Sequence, residues 1–134
     1  MKTELKKTGE RVIANEYTSN INEYFIYQCH LATYQFAVPY VKNKKVLEFG
    51  CGSGYGSHFL SKHCLNITAV DISESAIEYA KESFQSHNLT YCQIKDIETT
   101  PLSYDDETFD VIVSFQVIEH IAKDQIYLSE LKRV

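Results

Sequence analysis

What this sequence lacks excludes several classes of protein. Its 134 residues contain no apolar stretch near the ~20 residues that a membrane-spanning helix needs, and no signal-peptide core follows Met1. The formal net charge is −5 and the basic residues do not cluster, which disfavours a nucleic-acid partner. The four cysteines show no C-x-x-C spacing of a zinc site or a redox pair. These absences predict one cytoplasmic domain with reduced thiols and with neither membrane nor nucleic-acid partners.

One short segment carries most of the glycine. Four of the five glycines alternate with other residues between positions 50 and 56. They follow the apolar run 46–49, which is typical of a strand buried on both faces of a parallel sheet. Alternating glycines let the chain turn sharply and remove the Cβ atoms that would hold a ligand away from the backbone. We expect a helix to open at Ser57, so that strand, turn and helix together predict a nucleotide-type pocket.

The spacing of the glycines distinguishes between kinds of nucleotide loop. A dinucleotide fingerprint would need glycine or alanine where Tyr55 or Ser57 stands, and a phosphate-binding loop would need lysine after Gly56. The register present is Glu48-x-Gly50-x-Gly52-x-Gly54. At this point the chain resembles the class I S-adenosylmethionine-dependent methyltransferases of the bacterial small-molecule type, whose first motif is an acidic residue followed by G-x-G-x-G. The resemblance implies S-adenosylmethionine as cofactor, held by Glu48, Gly50, Cys51, Gly52 and Gly54.

A carboxylate ends the second predicted strand, which spans 66–72. Asp71 follows Glu48 at close to the ~20-residue offset at which a second-strand acid meets a ribose. A carboxylate there accepts hydrogen bonds from both ribose hydroxyls and repels a phosphate. Capping of the next helix is the alternative role for Asp71, but we expect Ser75 and Glu78 to supply a capping box for that helix. Asp71 and the adjacent Ile72 are therefore predicted to bind the cofactor.

A third predicted strand, 90–95, ends at another acid. In the resembling family an acidic residue at this point receives the adenine amino group, and the next backbone N–H meets a ring nitrogen. The resemblance therefore implies that Asp96 and Ile97 bind adenine. A loop aspartate without a binding role is the alternative in a chain with this many acidic residues.

The segment 109–115 is the most β-like in the chain and predicts a central strand. Its end and the residues after it resemble the fourth-strand signature of these methyltransferases. The resemblance implies that Phe115 and Gln116 lie at the methionine end of the cofactor. His120 or Glu119 is the candidate base for a hydroxyl proton, and an equal alternative is that both only cap or orient the loop.

A metal site is not predicted here. Ubiquinone-pathway O-methyltransferases carry Glu-x-x-Glu-His at this point, whereas this chain has Gln116 in the first position. The loss of a charged oxygen ligand weakens a site for a hard cation.

Two segments flank this predicted core. From residue 20 or 22 to Tyr40 the pattern predicts one helix, ended by Pro39, that lies across the mouth of the glycine loop. Its predicted inner face consists of Ile21, Phe25, Gln28, Leu31 and Ala32. Residues 1 to 19 are polar and predict a loosely held arm, and Asp124 is predicted to cap a final helix. We therefore divide the chain into an arm with a lid helix, 1–43, and a cofactor-binding domain, 44–134.

The predicted fold is α/β, a Rossmann-like parallel sheet of strand order 3-2-1-4 with helices on both faces, preceded by an N-terminal helix. By resemblance it is the amino-terminal portion of the seven-stranded methyltransferase fold. The fourth strand would then be an exposed edge, where a second copy could pair to form a homodimer.

The predicted function is methyl transfer from S-adenosylmethionine to a small-molecule acceptor, with a sugar or quinol-like hydroxyl as candidates. One alternative is a non-catalytic module that binds the cofactor and depends on a partner chain. A nicotinamide-dependent oxidoreductase is a third hypothesis, which the glycine register disfavours.

Overall fold

A computed structural model describes Leu5, Ile13 and residues 21–134. The elements, in chain order, are α1 (Ile21–Val41), β1 (Lys45–Phe49), α2 (Tyr55–Ser61), β2 (Asn66–Asp71), α3 (Glu74–Ser83), β3 (Leu89–Gln93), β4 (Val111–Val113) and α4 (Asp124–Arg133), with a single 3-10 turn at Ile118–His120. The arm predicted over residues 1 to 19 lies outside the described residues except for Leu5 and Ile13. Both of these side chains are buried against Ala76. Among the described helices, none combines the length and the apolar character needed to cross a membrane.

The strands form one parallel sheet in the order β3-β2-β1-β4, which confirms the predicted topology. Side chains of β1 alternate between two cores because successive residues of a strand point to opposite faces. Val46 packs with α1 and α2, whereas Leu47 and Phe49 pack with α4 residue Tyr127. Helices therefore cover both faces, as predicted, and β1 is the buried centre of the sheet.

All four strand ends point the same way, so the loops that follow them meet at one edge of the sheet. Ligands of open α/β sheets bind at this carboxyl edge. At the side of the sheet, β4 has only β1 as a neighbour within the described residues. The fourth strand is therefore an edge strand in the part of the chain that the structure describes.

The buried face of α1 differs from the predicted one. Tyr34, Ala37 and Val41 are buried, whereas Ile21 and Phe25 are 82% and 68% exposed. The helix packs through its C-terminal half against the core around Val46 and Leu60, and its N-terminal residues extend beyond that core. The predicted face was wrong because it included the apolar residues near the start of the helix, and these residues have no core to pack against in the described part of the chain.

Helix α1 also does not end at its proline. Pro39 lies on the exposed side of the last turn, and the helix continues to Val41. A proline removes one hydrogen-bond donor, and in a last turn that loss does not end the helix.

The start of α3 also differs from the predicted one. Ser73, not Ser75, caps α3, and its side chain accepts a hydrogen bond from the Ala76 N–H at 3.3 Å. The helix consequently begins at Glu74, and Ser75 lies in its first turn.

Two boundaries near the end of the chain were also misplaced. Asp124 is the first residue of α4 rather than its cap, and its carboxylate accepts from the Gln125 N–H at 2.7 Å. Strand β4 is shorter than predicted, since the Phe109 N–H donates to the Val134 carbonyl, at the end of α4, and not to a strand.

Candidate functional site

The turn after β1 is a bend made of left-handed glycines. Gly50, Gly52 and Gly54 have φ angles of 81°, 53° and 84°, which side chains rarely tolerate. A Cβ on Gly50 would lie 2.3 Å from Val117 Cγ2, and one on Gly54 would lie 2.6 Å from the Cβ of Ala80. A Cβ on Gly52 would meet no atom within 4 Å. The bend is thus packed at Gly50 and Gly54 and bare at Gly52, which lines a cavity.

Asp71, at the end of β2, fastens this bend. One carboxylate oxygen accepts from the Gly52 N–H at 2.8 Å, and the other accepts from the Ser73 N–H at 2.9 Å. The N–H groups of Gly50 and Cys51 donate to the carbonyl of Val70 at 2.8 and 3.0 Å. The carboxylate therefore lies beside the glycine bend, as expected from parallel neighbouring strands. Each of its oxygens can accept a second hydrogen bond from a ligand.

A cavity of about 420 Å³ opens over the carboxyl ends of the strands. This volume is within the range of small-molecule sites, roughly 300–1,000 Å³. Most residues of the predicted site line it: Gly50, Cys51, Gly52, Asp71, Ile72, Asp96, Ile97, Phe115, Gln116 and His120. Three predicted residues are not part of the lining. Glu48 is buried beneath the bend, Gly54 packs against Tyr91, and the side chain of Glu119 is exposed.

The lid helix contributes lining residues that the sequence analysis missed. His30, Thr33 and Tyr34 of α1 face the cavity. The ring of Tyr34 packs edge-on against Tyr55, with centroids 5.5 Å apart, and against Phe115, with centroids 5.2 Å apart. The spacing of the buried residues 34, 37 and 41 was the signal that would have identified this face.

Glu48 is held by two hydroxyl groups. The Tyr34 hydroxyl donates to Oε1 at 2.6 Å, and the Ser57 hydroxyl donates to Oε2. Burial raises the pKa of Glu48 to about 7, although both hydroxyl hydrogen bonds act to lower it, and the negative charge of Asp71 raises it further. Glu48 therefore lies beneath the bend and outside the cavity wall.

The far end of the cavity lies after β3. Asp96 is exposed, and its carboxylate accepts from the Glu98 N–H at 2.9 Å, while Ile97 is 4% exposed and packs in the core beside Leu47 and Phe49. Lys95 and Glu98 complete this end. Its polar rim and buried isoleucine suit a flat heterocycle with an amino group at its edge.

The two histidines of the cavity differ in their surroundings. His30 is half-buried, and burial lowers the pKa of its imidazole, which favours the neutral ring near pH 7. His120 belongs to the 3-10 turn after β4 and is exposed on the cavity rim. Both imidazole rings therefore line the cavity, where a ring nitrogen could accept a proton from a ligand.

Comparison with known proteins points to one family. The sequence profile described as a methyltransferase domain matches residues 47–134. A "probable S-adenosylmethionine-dependent methyltransferase" of Mycobacterium tuberculosis is 32% identical over 130 residues, which are 97% of this chain and 44% of that protein. The ubiquinone biosynthesis O-methyltransferase of Coxiella burnetii is 40% identical over 87 residues, 63% of this chain and 36% of that protein.

A solved structure supports the same assignment of fold. The PH0226 protein of Pyrococcus horikoshii superposes with a TM-score of 0.70 at 30% identity, covering 81% of this chain and 53% of that one. The chain therefore spans about half the length of that protein, and less than half of the two curated relatives above.

Proposed function

This chain belongs to the class I S-adenosylmethionine-dependent methyltransferases, and from that premise we propose that its cavity binds S-adenosylmethionine for methyl transfer to a small-molecule acceptor. The observation that carries this proposal is the pairing of a bare glycine backbone at Gly52 with the carboxylate of Asp71, 2.8 Å from its N–H. A ligand that fits this site has a flat group that lies on the Gly52 backbone and free hydroxyl groups that donate to the Asp71 carboxylate.

The chemistry of the lining fits the cofactor. Asp71 and Asp96 would repel a polyphosphate and favour an adenosine with unmodified ribose hydroxyls. The missing third glycine of the dinucleotide fingerprint further separates this bend from that of a nicotinamide enzyme. When bound, S-adenosylmethionine supplies a methyl group on a positively charged sulfur, and an acidic lining favours such a charge.

We assign the roles of individual residues by their positions along the strand ends. Asp71 would accept the ribose hydroxyls, and Asp96 with the Ile97 N–H would hold adenine beyond β3. Phe115 and Gln116, after β4, would then face the methionine end. The contribution of these residues to the reaction is to hold donor and acceptor in attack geometry, which accounts for much of the rate of such displacements.

We propose His120 as the group that accepts the proton of the acceptor hydroxyl. It lines the cavity, and an imidazole nitrogen is a common acceptor of such a proton. Glu119, its predicted alternative, is exposed and is not a lining residue, and we propose for it the second predicted role of orienting the loop.

The acceptor is proposed as a small molecule with a sugar or quinol-like hydroxyl. Support for the quinol comes from the name of the Coxiella burnetii relative and from the aromatic rings of Tyr34, Tyr55 and Phe115 in the cavity wall.

We further propose that the protein acts in the cytoplasm and that the domain boundary falls near residue 43.

A second function is favoured by one observation. Within the described residues β4 pairs only with β1, so a module that binds the cofactor and transfers methyl groups only with a partner chain is the alternative. Pairing of β4 with a second copy would be one form of such an assembly.

Two titrations of the 134-residue chain test the binding. S-adenosylhomocysteine should give saturable heat in a calorimeter, and NAD should give none. The reverse result would overturn the proposal in favour of an oxidoreductase. Sedimentation at the same concentration tests β4 pairing, which a monomer would contradict.

A transfer assay then separates the two functions. Radiolabelled methyl groups would be followed from S-adenosylmethionine to catechol, as a quinol probe, and to a methyl glycoside, as a sugar probe. Labelled product from either supports a self-sufficient enzyme. Cofactor binding without transfer favours the partner-dependent module.

A further inference from the structure

A buried carboxylate joins three elements of this fold. Glu48 lies on β1 and is 1% exposed. Its two oxygens accept hydrogen bonds from Tyr34 on α1 and from Ser57 on α2. Burial of a carboxylate is costly unless it is paired or hydrogen-bonded, and hydroxyl groups are weaker partners than cations.

Within the described part of the chain, no cation is among the charged or titratable groups that act on Glu48. Its charged and titratable neighbours are Tyr34 from α1, Asp71 from β2, Cys51 from the bend and Tyr91 from β3. All of these are acids or neutral groups. Replacement of a whole buried polar network by apolar residues is often neutral or stabilising for a fold, so stability alone does not explain a carboxylate at position 48.

Tyr34 is fixed in one position from several sides. Its ring lies where a side chain on residue 56 would be, since a Cβ added to Gly56 would come within 1.9 Å of Tyr34 Cζ. Tyr55 and Phe115 hold the ring edge-on from two further directions. The absence of a side chain at Gly56 thus lets the hydroxyl reach Glu48 while the other side of Tyr34 lines the cavity.

The strand order shows which end of the cavity Tyr34 faces. Asp96 follows β3 and Asp71 follows β2, whereas the rings that touch Tyr34 stand after β1 and β4. A ligand whose ribose meets Asp71 and whose adenine meets Asp96 therefore directs its 5′ substituent toward Tyr34. In the proposed cofactor that substituent is the sulfur-linked amino acid.

We propose that Glu48 is a positioning residue, which through the Tyr34 hydroxyl holds α1 over the amino-acid end of the cofactor site. The pair thereby determines affinity for the amino-acid part of the ligand, although Glu48 itself is not in the cavity wall. This inference rests on the proposed function, since it needs the cavity to bind S-adenosylmethionine.

The test uses two ligands that differ only at that end. S-adenosylhomocysteine carries the amino acid, and 5′-deoxy-5′-methylthioadenosine carries a methyl group in its place. Tyr34→Phe removes the hydroxyl alone, and Tyr40→Phe is the matched control on the exposed side of the same helix. Both ligands would be titrated calorimetrically into the 134-residue wild type and each variant.

Tyr34→Phe should weaken S-adenosylhomocysteine about tenfold, the effect of one lost hydrogen bond to a charged group, and the methylthio ligand less than about twofold. Tyr40→Phe should change neither. An equal loss for both ligands would show a merely structural role and overturn the inference, as would unchanged affinity for both.

Failure of the proposed function and failure of this inference give different results in these titrations. A wild type that binds neither ligand contradicts the proposed function itself, whereas the inference fails on its own if the wild type binds and the variants bind equally well. If Tyr34→Phe does not fold, as judged by circular dichroism, Glu48→Gln takes its place. This substitution keeps the volume of the side chain and removes the charge that both hydroxyls approach, and the same selective loss is expected.

Discussion

The two ends of the cavity are built in different ways. At the β2 end, the carboxylate of Asp71 and the backbone of Gly52 line the cavity, and the N–H groups of Gly52 and Ser73 hold that carboxylate in place. At the β4 end, the wall consists of side chains from three separate segments: Tyr34, Tyr55 and Phe115. The first end depends on local chain geometry, and the second depends on how α1 packs.

Because of this difference, mutations at the two ends should affect ligand binding in different ways. Changes at the β2 end should alter direct contacts with the cofactor, because that wall consists of hydrogen-bonding groups at its surface. Changes at the β4 end should act through the position of the helix, because Glu48 and Ser57 lie under the wall rather than in it. The predictions below contrast the two ends, beginning with the largest effect.

Asp71→Ala should have the largest effect on binding. It removes the acceptor of two backbone N–H groups together with the proposed ribose contact, and hydrogen bonds to a charged group contribute about 1.5–3 kcal/mol each. Affinity for S-adenosylhomocysteine should therefore fall about 100-fold in a calorimetric titration. Asp105→Ala, in an exposed loop, is the control and should bind as the wild type does. Unchanged affinity in Asp71→Ala would contradict the proposed contact between Asp71 and the ribose hydroxyls.

Alanine at two glycines of the bend should separate stability from binding. Gly50→Ala combines a φ of 81° with a Cβ 2.3 Å from Val117 Cγ2. It should therefore lower the free energy of unfolding by at least about 2 kcal/mol. Gly52→Ala has open space, so it should cost only about 1 kcal/mol of stability while its methyl group enters the cavity. Urea unfolding and ligand titration of both variants check this contrast, which equal stability losses would contradict.

The β4 end should show a pH dependence that comes from Glu48. Its pKa is raised from the ordinary value of 4.5 to about 7 by burial. Between these values the folded state holds a proton that the unfolded state releases, so the contribution of this group to stability decreases as pH rises and is constant above about 7. The slope from one group is at most about 1.4 kcal/mol per pH unit.

Glu48→Gln removes this titration, and the difference between variant and wild type isolates it from all other groups. Urea unfolding of both proteins between pH 5 and 8 should show the stability of the wild type decreasing relative to the variant up to about pH 7. A difference that stays constant with pH would contradict the raised pKa.

The smallest effect is expected at Glu119. Its side chain is exposed and lies outside the cavity lining, so Glu119→Ala should change the affinity for S-adenosylhomocysteine less than about twofold. His120→Ala is the comparison variant, because it changes a lining residue on the same turn. A loss in Glu119→Ala larger than that in His120→Ala would contradict the position of Glu119 outside the cofactor site.

The same comparison explains what could be predicted from the sequence. The strand order came from the family resemblance, whereas the glycine bend and the place of Asp71 beside it were predictable from residues close together in the chain and from the parallel geometry of strand ends. Asp96 and Ile97, by contrast, were assigned to adenine from the family resemblance. The glycine bend and its neighbouring carboxylate are determined by strand register and by the turn residues, which short windows of sequence reveal.

The α1 end was not predictable in this way. Tyr34 meets Glu48, Gly56 and Phe115 only after the helix has packed, and the helical spacing of residues 34, 37 and 41 competes with a second apolar face that begins at Ile21. The missed cap at Ser73 has a similar cause, since both Ser73 and Ser75 satisfy the local preference for a capping residue. Tertiary packing decided between alternatives that local sequence left equal.

The most direct test of the account is a crystal structure of this chain with S-adenosylhomocysteine. The account predicts the ligand in the cavity over the strand ends, with its ribose hydroxyls about 2.5–3.0 Å from the carboxylate of Asp71. A ligand bound elsewhere, or a ribose that leaves Asp71 without a contact, would contradict the central claim.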